Sequence, residues 1–262
     1  MTVADSTETD APQVEIAVVS KPGGRAINED ACGYWTSDAF CCQILSDGAG
    51  GHGSGDVASK IVVRTILQKF RETPGCSPQT VLALMKEANA TVLKEQGTRP
   101  DQAEMRATAA VLLLDIVNPQ AIWGHLGDSR VYCFREGRIV SQTRDHSVVQ
   151  SMVDAGFLEP SSVRTSPKRS VLTAAMGNSE ECDPAVPETS LRLTGDEVFL
   201  LCSDGFWEYV EEGKMEEELA RSTGPEAWLN ALEEELKRKA RPHHDNYSAI
   251  AVWLRTQTAI FF

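Results

Sequence analysis

Three apolar runs in this chain end the same way, in a small residue, an aspartate and another small residue: Ile44-Leu45-Ser46-Asp47-Gly48, His125-Leu126-Gly127-Asp128-Ser129 and Leu201-Cys202-Ser203-Asp204-Gly205. A fourth aspartate, Asp245, stands with Asn246 just before the apolar run from Tyr247 to Leu254. Any one Asp-Gly is a turn signal, because both residues favour turns. Four aspartates placed against apolar runs constrain more, since the runs must be buried as strands while the carboxylates sit at strand ends. Strand ends of stacked sheets converge on one rim, which lets the four share a site. Ionised carboxylates that close repel and raise one another's pKa unless a cation lies among them. An all-oxygen site of this kind selects hard cations such as Mg²⁺ and Mn²⁺ over zinc.

The remaining pattern says what those strands are built into. Val14 to Val19, Ala31 to Trp35 and Phe40 to Leu45 read as strands, the last a continuous apolar run of sandwich-core type. From Gly55 the period becomes helical, with Val57, Ile61, Val62, Ile66, Leu67 and Phe70 on one broad face. A second helix runs from Ser77 as N-cap through Leu82, Met85, Ala88 and Val92 to Gly97 as stop. Residues 106–143 read as one antiparallel β-meander with turns at Asn118-Pro119, Gly127-Asp128 and Glu136-Gly137. Residues 145–176 hold one short helix, Val148 to Asp154, and a Ser/Pro/Lys/Arg stretch that suits a mobile flap near a site. The last third gives strands near Thr189 to Leu193 and Glu197 to Cys202, helices at about 211–221 and 225–240, and the closing strand from Tyr247. This order predicts an α+β fold of two antiparallel sheets stacked face to face with helices outside. Residues 1–12 read as a mobile polar tail and 13–262 as a single domain.

Composition narrows the function classes. The formal net charge of −13 argues against nucleic acid, whose binding rests on Lys and Arg neutralising phosphates. No run of about 18 apolar residues offers itself for a membrane span, and the N-terminus is acidic and polar, so no membrane insertion is expected. Seven cysteines, an odd number without a CxxC pair, suit a reducing cytoplasm, with Cys41, Cys133 and Cys202 inside apolar strands.

Two further segments carry chemistry. In Arg25-Ala26-Ile27-Asn28-Glu29-Asp30 a lone arginine follows a Gly-Gly turn and precedes two acids. Its fork matches phosphate oxygens, and the acids suit metal-bound waters. In Asp47-Gly48-Ala49-Gly50-Gly51-His52-Gly53 the glycines satisfy GxGxxG. A dinucleotide reading fails there on context, because the next element is a second helix and Asp47 occupies the place of a pyrophosphate. His52 reads either as general acid for a leaving alkoxide or as a loop hydrogen-bonding residue. His125 reads as a satisfied core residue, and His243 and His244 as outlying or exposed.

Taken together, Arg25 to Asp30, Asp47 to His52, Gly127-Asp128-Ser129-Arg130, Thr143 with Asp145-His146-Ser147, Ser203-Asp204-Gly205 and Asp245-Asn246 resemble the metal-dependent protein phosphatase family, the type 2C or PPM group, in its stand-alone bacterial form. The resemblance implies a four-layer αββα sandwich with pairs of antiparallel helices on both sides. It implies two Mn²⁺ or Mg²⁺ ions and a weaker third. Asp47 would bridge the first two; Asp204 and Asp245 would bind the first, while the Gly48 carbonyl and Glu29, through water, serve the second. Asp128 with Asp204 would form the third site, Arg25 would hold the phosphate, and a water bridging the two cations would attack phosphorus in line. Implied partners are phosphoserine and phosphothreonine proteins and an opposing eukaryotic-like Ser/Thr kinase, the enzyme being a cytoplasmic monomer. One departure is Glu208, where many members carry aspartate. The rival readings are a catalytically inactive module of the same fold, a small-molecule dehydrogenase, and a calcium-binding structural domain, which lacks the DxDxDG loop.

Overall fold

Strands buried on both faces show no polar alternation, so their period of two appears instead as a choice between two apolar neighbours. β3 (Phe40–Ser46) and β6 (Ala109–Asp115) are such strands. Cys41, Leu45, Ala110, Leu112 and Leu114 face the opposite sheet, whereas Cys42, Ile44, Val111 and Leu113 face helices. The structure, a computed structural model, describes residues 12–49, 54–98, 103–178 and 182–255. The expected tail, but for Pro12, lies outside the described residues, as do Gly50, Gly51, His52 and Gly53.

Two five-stranded antiparallel sheets form the middle of the molecule. One has the order β1 (Gln13–Lys21), β12 (Tyr247–Arg255), β11 (Val198–Cys202), β8 (Arg130–Arg135), β9 (Arg138–Gln142). The other runs β10 (Leu191–Arg192), β7 (Gln120–Leu126), β6, β3, β2 (Ala31–Thr36). Between them lies a largely apolar layer including Val131, Cys133, Phe199, Leu201, Ile250 and Val252, with Gln43 of β3 fully buried on the face of Cys41 and Leu45. Burying one such side chain contributes about 1.5–3 kcal/mol, which makes this layer the main hold between the sheets. A two-stranded pair, β4 (Gly48–Ala49) with β5 (Arg106–Ala107), sits at the rim.

Helices α1 (Gly55–Glu72) and α2 (Pro78–Thr98) cover the second sheet through Val62, Ile66, Phe70, Met85 and Val92. Ser77 caps α2, its Oγ accepting the Thr80 N–H at 3.1 Å. On the first sheet lie α6 (Glu212–Arg221) and α7 (Pro225–Lys239), the latter presenting Trp228, Leu232 and Leu236 at helical spacing. The expected four-layer αββα arrangement is therefore present. The flap carries α3 (Val148–Asp154) and one additional turn, α4 (Ser162–Thr165). α5 (Asp204–Trp207) is a single turn following β11.

One expectation is corrected. Residues 106–143 do not form one sheet: β6 and β7 belong to one sheet, β8 and β9 to the other. The Gly127-Asp128 turn is the crossing between sheets, not a hairpin. Gly127 has φ +97°, which a residue with a Cβ rarely adopts, and a Cβ there would meet Thr108 Cγ2 at 2.6 Å. Local pattern cannot separate the two cases, because a hairpin and a crossing use the same turn residues.

Candidate metal centre

The ends of β3, β7 and β11 and the start of β12 meet at one rim, and short hydroxyl bridges lock them there. Thr108 is central: its N–H donates to the Asp47 carbonyl at 2.8 Å, and its Oγ1 accepts the Asp47 N–H at 2.9 Å. Ser46 Oγ donates to the Thr108 carbonyl at 2.7 Å, and the Thr108 and Ser129 hydroxyls are 2.6 Å apart. β3 is thereby tied to the sheet crossing that carries Asp128.

The Arg25–Asp30 segment is fastened to the same rim by Asn246. Its Oδ1 accepts the Glu29 N–H at 2.8 Å, and its Nδ2 donates to the carbonyls of Pro22 and Ile27, each at 2.9 Å. The Gly48 N–H donates to the Glu29 carbonyl at 3.2 Å, and a Cβ on Gly48 would lie 2.1 Å from the Gly55 carbonyl oxygen, so only glycine permits this approach. Arg25 Nη2 donates to Asp245 Oδ2 at 3.0 Å at the mouth, where both side chains remain half exposed.

Below that mouth the charges are almost all of one sign. Burial pushes the Asp47 carboxyl well above the usual carboxylate range, and Asp30, Asp204, Asp128 and Asp245 push it further. Burial likewise raises Asp204 to about 7, with Asp245 and Asp30 adding to it, and Asp30 to about 6. Asp128 is raised by burial, then by Asp204 and Asp145. Asp47 and Asp204 keep part of their own surface open at the rim, although the chain around them is dense.

The donor set fits hard cations. Asp30 Oδ2 accepts from Ser203 Oγ at 2.8 Å, while its Oδ1 is buried without a partner. Among the described residues no three acids are drawn into a ready cage around one ion. The carboxylates nonetheless raise one another's pKa, and a looser oxygen set completed by waters is what Mg²⁺-type ions take. Glu29, raised chiefly by burial and then by Asp56 and Asp245, stands at the edge suited to a water-mediated role.

A balanced charge network adjoins this centre. Arg130 holds Asp145 with two bonds of 2.8 Å, donates to the Tyr132 hydroxyl at 3.0 Å, and stacks 3.6 Å from the Trp207 ring centroid. Trp207 Nε1 donates to the Asp128 carbonyl at 2.9 Å. From the flap, Arg164 clamps Glu212 and Arg169 donates to Glu208 at 2.7 Å.

The structure therefore brings Asp47, Gly48, Asp128, Asp204, Asp245, Glu29 and Arg25 to one rim. His52 lies outside the described residues. Asp30, read with Glu29 as suited to metal-bound waters, is the most deeply set acid of the Arg25–Asp30 segment. Its position directly before β2 was the available signal. Trp207 was missed as well, since nothing local marks an indole whose partner is 79 residues away. His125 is only half satisfied: Nε2 donates to the Arg144 carbonyl at 2.7 Å, while Nδ1 has no partner. His243 is exposed, with φ 66°.

Comparison with known proteins places this geometry. A family model described as protein phosphatase 2C matches residues 23–242. The serine/threonine protein phosphatase PstP of Mycobacterium tuberculosis is 31% identical over 169 residues, 64% of this chain and 32% of PstP, so the chain spans about a third of that relative's length. The protein phosphatase PhpP of Streptococcus pneumoniae is 29% identical over 197 residues, 73% of this chain and 78% of PhpP. Among solved structures, the Mycobacterium tuberculosis phosphatase PstP/Ppp superimposes with a TM-score of 0.79 at 28% identity, covering 92% of this chain and 99% of that one. The catalytic domain of PstP in complex with two manganese ions superimposes with a TM-score of 0.78 at 26% identity, over 92% and 98%.

Proposed function

Because the chain belongs to the protein phosphatase 2C family, we propose that it is a metal-dependent serine/threonine phosphatase acting on phosphoserine and phosphothreonine in proteins. The observation that carries this reading is the crowding of Asp30, Asp47, Asp128 and Asp204 beneath Asp245, with Arg25 at the mouth. Such a cluster is tolerable at neutral pH only if protons or cations share it.

In this reading Asp47 would hold both principal cations, Asp204 and Asp245 would serve the first, and the Gly48 carbonyl with Glu29, through water, would serve the second. Asp128, with Asp204, would take a weaker third. When bound, Mn²⁺ or Mg²⁺ supplies Lewis acidity and positive charge beside the phosphoryl oxygens. The chain's own contribution is positional. Arg25, half exposed, can turn its fork to two phosphate oxygens and hold the ester at the mouth. His52 is the proposed donor of the proton to the leaving alkoxide. A thiol nucleophile is disfavoured, because attack needs a thiolate and burial raises all seven thiols, even the least affected, Cys41 and Cys182, to about 11.

The net charge of −13 supports protein rather than nucleic-acid substrates, and no helix among the described residues is long and apolar enough to cross a membrane. A cytoplasmic monomer opposing a Ser/Thr kinase completes the proposal. Its test is hydrolysis of a phosphothreonine peptide with Mn²⁺, with Mg²⁺ and with EDTA, beside Asp204→Asn. We expect turnover that EDTA abolishes and that the substitution lowers at least ~100-fold. Wild-type protein that binds Mn²⁺ but releases no phosphate would make the chain an inactive binding module.

A further inference from the structure

The single turn α5 has two ends with different tasks. Asp204 heads it at the rim. Trp207 ends it, 1% exposed, with its indole N–H on the Asp128 main-chain oxygen at 2.9 Å. One short rigid element therefore touches both acids proposed for the third cation, Asp204 as a ligand and Asp128 through its backbone.

Asp128 has particular need of such a hold. It sits where the chain leaves one sheet for the other, between Gly127 at φ +97° and the first residues of β8. Its buried carbonyl would be left without the Trp207 donor if the indole N–H were removed, and a buried unpaired carbonyl is costly enough to move the backbone. The indole itself is immobilised from outside. Arg130 lies 3.6 Å from its centroid, pinned in turn by Asp145 at the start of the flap, and Arg164 of α4 lies 5.5 Å from it. None of these groups has a part in the hydrolysis proposed above.

We propose that Trp207 is a positioning residue for Asp128: its N–H sets where the Asp128 carboxylate stands relative to Asp204, and so tunes the weakest of the cation sites. This rests on the reading of Asp128 and Asp204 as the third-cation pair. The packing of Trp207 against Arg130 and Arg164 further ties that site to the first residue of the flap and to its second helix.

The test replaces Trp207 by 3-benzothienylalanine, which keeps the ring's shape and lacks the N–H, alongside Trp207→Phe and Asp128→Asn. Bound Mn²⁺ is counted by electron paramagnetic resonance, and the Mn²⁺ dependence of phosphopeptide turnover is followed, with urea unfolding in EDTA as a check on folding. The benzothienyl chain is expected to fold and to keep its tight Mn²⁺ sites. Its weakest binding step should move to roughly tenfold higher Mn²⁺, the lower end for a group behind a metal ligand. Turnover at saturating Mn²⁺ should recover, and Asp128→Asn should shift the same step further. A shifted Asp128→Asn with an unshifted benzothienyl chain would overturn the role of Trp207 alone. An unshifted Asp128→Asn would overturn the third-cation reading and the inference with it.

Discussion

Two groups of buried charge meet at the start of β8, and they differ in whether the chain completes them. Arg130 and Asp145 are 4% and 2% exposed and form a bidentate pair closed by Tyr132 and Glu212. Asp30, Asp47, Asp128 and Asp204 are all acids, and each has its carboxyl raised first by burial. The first group repays its desolvation with its own bonds. The second cannot, and that imbalance is what sets the proposed cation site apart from a structural ion pair.

The contrast breaks most sharply at Asp145→Asn, which removes the bidentate partner of the buried Arg130 guanidinium and leaves it only Glu212, 3.5 Å away, as counter-charge. A loss of about 3–5 kcal/mol is expected in urea unfolding in EDTA, the cost of orphaning one member of a buried pair. A loss under about 1 kcal/mol would show that the pair is not self-contained.

Acid titration in EDTA separates the groups by sign. His125 and His146 stack at 4.7 Å, facing Asp145, Arg130 and Arg144, with Asp183 near His146. Burial, then the His146 charge, lowers His125 from 6.5 to about 4. The unfolded chain therefore binds the proton first, and stability falls as pH drops from 6.5 to about 4, by on the order of 3 kcal/mol. Asp30 and Asp204 act the other way: their folded pKa values lie above the unfolded ones, so metal-free stability falls as pH rises from 3.8 to about 6 for Asp30 and from 3.8 to about 7 for Asp204. Replacing His125 by Gln should flatten only the acid limb.

The smallest effects concern the acid cluster itself. Mn²⁺ at about a hundred times its dissociation constant should stabilise the native protein by about 2.7 kcal/mol in thermal unfolding. Asp47→Asn should remove most of that gain yet raise metal-free stability by about 1 kcal/mol, since it deletes a repelled carboxyl. Destabilisation in EDTA would mean that the Asp47 carboxyl holds the rim together without cations.

Much of this was legible in advance because apolar period and turn chemistry are local. The Glu136-Gly137 turn separates β8 from β9 as the sequence pattern predicts, and Ser77 caps α2 as its hydroxyl suggests. The recurrent small-Asp-small endings pointed to the rim before any fold was in view. Less legible were contacts made between distant segments. Asp30 meets Ser203 across 173 residues, Asn246 meets Glu29 across 217, and Trp207 meets Asp128 across 79.

The division has a physical origin. Which residues become strand, helix or turn depends on neighbours a few positions away, and the strand and helix signals around the aspartates are already strong at that range. Which sheet β8 joins, and therefore whether Asp128 faces Asp204 or solvent, depends on burying Val131 and Cys133 against Phe199 and Leu201. That choice is a property of the assembled core. Only when it is made do like charges that the chain keeps far apart in sequence come close enough to demand a cation.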